Sequence, residues 1–363
     1  MGKSKVAVLK TSPATVVKDY GRLMDMAGYS DVIRPEHEVI LKINISWHKF
    51  YPACSTAPWQ LEGVIKKLLS DGFARDRIIG GHNRTVVVSD RVGEVTNKQK
   101  PVTDRYGIRC VYLNEPPTEW VRYEAKKPFL VLDGIFPDGV KIPKTFIGKS
   151  IIQMPLMKTH VFTTMTGAMK NAFGGLLSQK RHWTHSVIHE TLVDLLTIQK
   201  DIHPGIFAVM DGTAAGDGPG PRCMRWYIKN YILASADQVA IDAVSAKLMG
   251  FDPLSIKFIA LAHEKGLGCG DPRDIDIAGE DISGVDFHFV GPYEKMTLAS
   301  RGQKMIYHGK FKRIEHLLLR TAVVPWSYAA SRLYHDAYWY PCFGRSRVAD
   351  YMKTEWGKLF QSY

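Results

Sequence analysis

A chain of 363 residues with 45% hydrophobic and 23% charged content has an ordinary globular composition. That excludes the disordered and collagen-like classes and leaves room for one large core or two intimately packed lobes. The formal charge of +12 is uneven: from Arg301 to Tyr363, eleven Lys or Arg face four Asp or Glu, which points the tail toward an anionic surface or partner. Five cysteines lie far apart with no C-x-x-C pair. They argue against an iron–sulfur cluster or a Cys-rich zinc site and fit scattered reduced thiols.

Taken in chain order, Met1 to Lys5 runs into an apolar strand-like segment, Val6-Ala7-Val8-Leu9, without the longer apolar stretch of a signal peptide. No apolar run approaches the roughly 18–20 residues that span a bilayer, so a cytoplasmic location is expected. Short β-branched runs at Val39 to Ile43, Ile78 to Gly81, Ile151 to Met154 and Ile206 to Met210 read as buried strands. Between the first two, residues Pro58 to Ser70 carry Leu61, Val64, Ile65, Leu68 and Leu69 on one helical face, with Pro58 at the start and Gly72 past the end. The stretch from Asn114 to Lys144, rich in Pro, Lys and Glu, suits an irregular excursion. Further helices are expected over His189 to Lys200 and over Ala236 to Met249, the latter closed by Gly250.

Strands alternating with helices imply an α/β fold with a doubly wound, mostly parallel sheet over residues 1–300. Residues 301–363 read as a basic, aromatic-rich helical extension. Within it Phe311, Ile314, Leu317, Leu318 and Thr321 share one helical face beside Lys312, Arg313 and Arg320. A cluster of Trp326, Tyr328, Tyr334, Tyr338, Trp339 and Tyr340 follows. Such a stretch suits contact through 311–340 with an anionic membrane surface, at the inner face of a membrane. The rival reading packs the aromatic rings onto the core as a lid. No nucleic-acid recognition module is visible, so nucleic acid is not an expected partner.

Several polar clusters follow strand ends, where an α/β sheet opens into its ligand crevice. Lys158-Thr159-His160, then Thr166, Lys170, Asn171 and Gly174, combine charge, hydroxyls and small residues suited to a phosphate or carboxylate. Lys42 and Asn44 follow one strand, and His82 another. Asp211 is placed as a metal ligand or ribose-binding carboxylate, with Gly218 and Gly220 in a Gly/Pro loop beyond it; a structural turn is the alternative. His185 and His189 stand at the i,i+4 spacing of zinc-binding pairs, although such clusters also serve as solvated or aromatic packing. Asp237 and Asp242 flank the start of a helix, Asp237 as an N-cap and Asp242 as a residue buried against a lysine.

Together these segments, from Lys42 and Asn44 through Gly80-Gly81, Lys158-Thr159-His160, Lys170-Asn171 and Gly218-Pro219-Gly220-Pro221 to Asp237 and Asp242, resemble the family called domain of unknown function 362. The resemblance covers about residues 35–270 and implies a shared polar site without a named substrate. Many members of that family append ferredoxin-like cysteine motifs, which this chain lacks. The expectation is an enzyme that takes an anionic small organic substrate, assisted by a divalent metal in one version, with lyase or isomerase chemistry. Lys158 or Lys170 would hold the anion, His160 would move a proton, and Asp211 would bind metal or orient His160. A non-catalytic accessory protein that delivers a cofactor to a membrane-associated redox system is one alternative. A ligase or phosphoryl transferase is another, weakened by the missing Gly-rich lysine loop.

Overall fold

A computed structural model describes residues 3–292, 297–307, 309–310, 312–314 and 325–363. The sheet is built from β1 (Lys5–Lys10), β2 (Val39–Ile43), β3 (Ile78–His82), β4 (Arg109–Tyr112), β7 (Ser150–Met154), β10 (Ile206–Asp217), β11 (Arg225–Ser235) and β12 (Asp276–Gly279). Their order is β12-β1-β11-β10-β7-β2-β3-β4. The run from β10 to β4 is parallel throughout, and β11 pairs antiparallel with both its neighbours. In the parallel centre, β2 and β7 are buried at every position, as expected for strands covered on both faces.

Helices cover the two faces of this sheet and give it two apolar layers. On one side lie α1 (Val16–Met26), α2 (Pro58–Ser70) and α4 (Gln99–Tyr106), whose Tyr20, Leu23, Leu61, Val64 and Val102 pack together. The short α3 (Asp90–Thr96) precedes α4 at the sheet edge. On the other side lie α6 (Ala168–Leu176), α7 (Ile188–Ile202), α8 (Gln238–Met249) and α9 (Lys257–Glu264). The fold is therefore α/β, with a mostly parallel sheet flanked by helices, as the alternation of patterns implied. The helix expected over residues 58–70 has those bounds, and α8 ends at Gly250, whose φ of +95° permits the left-handed C-cap. The 114–144 excursion holds a two-stranded sheet of β5 (Trp120–Arg122) and β6 (Lys141–Pro143) and the single-turn α5 (Leu132–Ile135).

Two elements depart from expectation, and both matter for the site. β10 does not stop at Met210 but runs to Asp217, so Asp211 lies within a strand, paired with Ile232 and with Leu156. Residues 156–160 form a strand of their own, β8 (Leu156–His160), followed by the two-residue β9 (Thr164–Met165). Lys158, Thr159 and His160 are thus strand residues with alternating directions, where a loop was expected.

The C-terminal helices include α10 (Leu298–Tyr307), α11 (Pro325–Arg332), α12 (Arg345–Met352) and α13 (Glu355–Ser362). Tyr351, Trp356 and Phe360 join the layer of α1 and α2, with Phe360 stacked on Phe50 at 3.8 Å and Trp356 against Trp59 at 5.1 Å. Trp339 packs on Trp47 and Tyr51. Of the expected aromatic cluster, Trp339 is thus packed on the core, while Trp326 and Tyr338 are exposed. The apolar face expected from Phe311 through Leu317, Leu318 and Thr321 lies largely outside the described residues. Among the described residues no helix is long and apolar enough to cross a membrane.

Candidate functional site

The carboxyl edge of the parallel strands and the first turns of α6 meet around Lys42. Its side chain is only 3% exposed, and its Nζ donates to the carbonyl of Ile43 at 2.6 Å. Room for its stem comes from Gly175, where a Cβ would stand 3.1 Å from both Cδ and Cε of Lys42. Asn171 ties the helix to the sheet: its Nδ2 donates to the Lys42 carbonyl at 2.8 Å and to Gln153 Oε1 at 2.9 Å. Hydrogen bonds that span β2, β7 and α6 fix where Lys170 and Asn171 stand relative to the strands.

The start of α6 is held from outside by Asp242. Its carboxylate accepts from the amides of Ala168 at 2.6 Å and Met169 at 3.1 Å, two of the donors that a helix N-terminus leaves open. Burial pushes the Asp242 carboxyl up to about 8, against the opposing pull of those amides. A Cβ on Gly167 would stand 2.2 Å from Asp242 Oδ1, so glycine is what lets the carboxylate reach the helix. Among the described residues Asp242 has no lysine partner; the helix start takes its place. Asp237 is the expected N-cap of α8, accepting from Val239 and Ala240.

A cavity of about 540 Å³ opens over this platform, within the usual range for small-molecule sites. Four cations line it, Lys42, Lys170, Arg181 and Arg222, and no Asp or Glu appears among its described lining residues. Burial, and then the nearby Arg181 guanidinium, bring Lys42 down to about 7. Burial followed by Lys158 and Arg181 brings Lys170 to about 7 as well. Burial also lowers Arg181, to about 10. Clustered cations raise one another's cost of charge, and the Asp90 carboxylate, which is not part of the lining, offsets this only in part at Lys42 and Arg181. The lining also carries apolar and aromatic side chains, among them Val86, Val87, Phe162, Tyr307, Trp326 and Tyr328.

His160 also lines the cavity, with its ring 5.9 Å from that of Phe162. Its Nδ1 accepts from the Phe162 amide at 3.2 Å, which assigns the proton of the neutral ring to Nε2. Burial first, then Lys170 and His185, hold it well below the ordinary histidine range. At neutral pH it is an uncharged N–H donor, with its basic nitrogen engaged by the backbone.

Of the residues expected at the site, Lys42, Asn44, His160, Thr166, Lys170, Asn171 and Gly174 line the cavity, and His185 joins them. Others do not. Lys158 is fully buried, its Nζ held by Ser46 Oγ at 2.9 Å and by the Cys54 carbonyl, so it braces the cavity from behind. Thr159 points away, donating to the Gly218 carbonyl at 2.7 Å. Gly220 lies against the same strand, where a Cβ would stand 1.9 Å from the Thr159 carbonyl oxygen. Gly218 takes a φ of +109° with open space beside it, a turn position outside the cavity lining. His82 is buried behind the cavity, stacked on Tyr112, and the next residue, Asn83, reaches the lining.

Asp211 requires the largest correction. It faces the α1 and α2 layer, across the sheet from α6. Its Oδ2 accepts from Tyr20 at 2.7 Å and Trp59 at 2.8 Å, and its Oδ1 accepts from the amide and hydroxyl of Thr213. Four donors saturate it in the core, so it neither orients His160 nor presents an oxygen to a metal in the crevice. The His185 and His189 pair also separates: His185 turns to Phe162, Phe173 and Tyr307, while His189 stacks on Phe258. The chain enters α7 only at Ile188, so the i,i+4 spacing does not place them on one helix.

Arg181, Arg222, Asn83 and the Tyr307–Tyr328 wall were missed. Arg181 was legible as a charge just before His182, but nothing local shows that its Nη2 reaches the Arg84 carbonyl at 2.9 Å. The aromatic wall comes from the C-terminal extension and is a product of tertiary folding.

Comparison with known proteins adds a family and one partial relative. A thylakoid-associated protein of Synechocystis sp. is 30% identical over 124 residues, which cover 32% of this chain and 37% of that protein. The match thus spans little more than a third of the relative's length. No solved structure matches significantly. The family described as domain of unknown function (DUF362) matches residues 39–247, a stretch that contains β2, α6, Asp242 and most of the cavity floor. The chain belongs to this DUF362 family.

Proposed function

We propose that this chain is an enzyme that binds an anionic organic molecule and performs acid–base chemistry of the lyase or isomerase kind. The observation that carries the reading is the cavity lining: Lys42, Lys170, Arg181 and Arg222 with no described carboxylate among them. The anionic head sits on Lys42, Lys170 and Arg181, and its apolar body lies against Phe162, Tyr307 and Tyr328. Lys170, near 7 in the empty cavity, is partly neutral at physiological pH and can accept a proton. His160, neutral and carrying its proton on Nε2, donates a hydrogen bond to the oxygen that gains negative charge. A divalent metal belongs less naturally in this cavity, because cations line it.

A thermal-shift screen of carboxylates and phosphomonoesters with apolar bodies tests this reading. Ligands should raise the melting temperature of the native chain and lose that effect with Arg181→Gln. Those with an exchangeable C–H should incorporate deuterium, about 10²–10⁴-fold more slowly with Lys170→Gln. If no anion binds at millimolar concentration, or if binding ignores Arg181, the reading falls.

A second reading is an accessory protein that holds such a molecule at a membrane surface without turning it over. It is favoured by the thylakoid-associated relative and by the exposed Trp326, Leu333, Tyr338 and Phe343 near Arg332 and Arg345. Aromatic and basic residues together suit an anionic bilayer interface. Salt-sensitive flotation with anionic vesicles, combined with ligand binding and no deuterium exchange, selects this reading.

A further inference from the structure

Behind the cavity, at the outer edge of the sheet, three side chains from different elements converge. His82 ends β3, Glu94 lies in α3 and Cys110 in β4, and one donor atom of each lies within 4.8 Å of the others. His82 Nε2 already stands 3.4 Å from Glu94 Oε2. Among the described residues, no other group of three or more metal-type donors comes this close.

The second observation is His82 itself. It is 1% exposed, and neither ring nitrogen has a hydrogen-bond partner. A buried imidazole with no hydrogen bond at Nδ1, and at Nε2 only a 3.4 Å contact to Glu94 that makes no hydrogen bond, costs free energy, so the arrangement points to a missing ligand. Burial, then Lys42 and Arg91, hold the ring neutral, down to about 3, which is the form that ligates metals. Glu94 is braced by Tyr112, whose hydroxyl donates to both carboxylate oxygens at 2.8 Å. Outer hydrogen bonds of this kind orient a ligating carboxylate.

We propose that His82, Glu94 and Cys110 form a site for a zinc-class divalent transition ion. One nitrogen, one carboxylate oxygen and one sulfur make a borderline-soft set, which favours zinc over magnesium or calcium. Zinc bonds of about 2.0–2.3 Å call for donors roughly 3.3–3.8 Å apart, so the histidine–glutamate pair needs no rearrangement and only the sulfur closes in. Binding displaces the Cys110 proton to solvent, and the Glu94 proton where present, leaving a thiolate and a carboxylate that balance the ion's two charges. A water completes the tetrahedron. The ion would clamp α3 to β3 and β4, and so fix Asn83, the next residue after His82, in the cavity lining.

The test uses the full chain, stripped with a chelator and titrated with Co²⁺ and then Zn²⁺. One equivalent of cobalt should bind with a near-ultraviolet thiolate-to-cobalt band, and zinc should abolish that band by displacement. Cys110→Ser should remove the band while Cys223→Ser retains it, and Glu94→Gln should weaken zinc binding at least tenfold. Circular dichroism confirms that each variant is folded. A wild-type chain that binds no stoichiometric cobalt or zinc overturns the proposal, as does a thiolate band that survives Cys110→Ser in the folded protein.

Discussion

Sulfate binding should depend steeply on pH, because two lysines of the cavity titrate near 7 when it is empty. Burial and neighbouring cations lower both Lys42 and Lys170 to about 7. An anion seated between them favours their charged forms and pulls both values back up. Binding therefore takes up protons wherever the empty cavity's lysines are neutral. At pH 8 a lysine of pKa near 7 is about nine-tenths neutral. Above that pH, each lysine that touches the anion raises Kd by close to tenfold per pH unit, about a hundredfold for both together. Below about pH 6 both are already charged and Kd levels off. Sulfate suits the measurement because it does not itself titrate in this range. Isothermal titration calorimetry from pH 6 to 9, in buffers of differing ionisation enthalpy, gives both Kd and the proton count. Lys42→Met should remove one of the protons taken up at pH 8.5. A Kd constant within twofold from pH 6 to 9, with no proton uptake, would refute the electrostatic account of the cavity.

Other predictions concern the parts that hold the cavity together. The His160 imidazole, held well below the ordinary histidine range, should be neutral at pH 6.5 with its proton on Nε2; nitrogen chemical shifts that report an imidazolium there would contradict this. Asp242→Ala should destabilise the fold by about 1–3 kcal/mol for each α6 amide left without an acceptor, and Asp242→Asn by less; equal unfolding midpoints for wild type and Asp242→Ala would reject its capping role. Lys42 is depressed from 10.5 to about 7, so the unfolded chain binds more protons between those values. Its contribution to stability then rises across that window and is lost as pH falls through 7. Lys42→Met should consequently stabilise the empty protein more at pH 6 than at pH 10, by up to about 4 kcal/mol; denaturant unfolding with the reverse order would overturn the sign.

The parallel core was legible because its strands carry short apolar runs such as Val39-Ile40-Leu41, Ile151-Ile152 and Phe207-Ala208-Val209-Met210, and because α2 carries an apolar stripe between Pro58 and Gly72. Lys42, Asn171 and Lys170 were legible as site residues for a related reason: charged or polar groups in or beside buried strands need a compensating role. Sequence failed where position along a strand, and not its face, decides. Lys158 and His160 are two apart in β8, yet one braces Ser46 and Cys54 while the other lines the cavity. Asp211 misled because the apolar run ends at Met210 while the backbone ladder continues to Asp217. Its four donors come from three elements, so no local pattern announces them. The His82, Glu94 and Cys110 group escaped notice for the same reason, since its members are spread across 29 positions of sequence.

The most direct measurement is a crystal structure of the full chain soaked with tungstate, an oxyanion whose anomalous signal locates it without ambiguity. The account predicts tungstate in the cavity, hydrogen-bonded to Lys42, Lys170 or Arg181, with that peak lost in Arg181→Gln. Tungstate confined to the outer surface, with an empty cavity at saturating concentration, would contradict it.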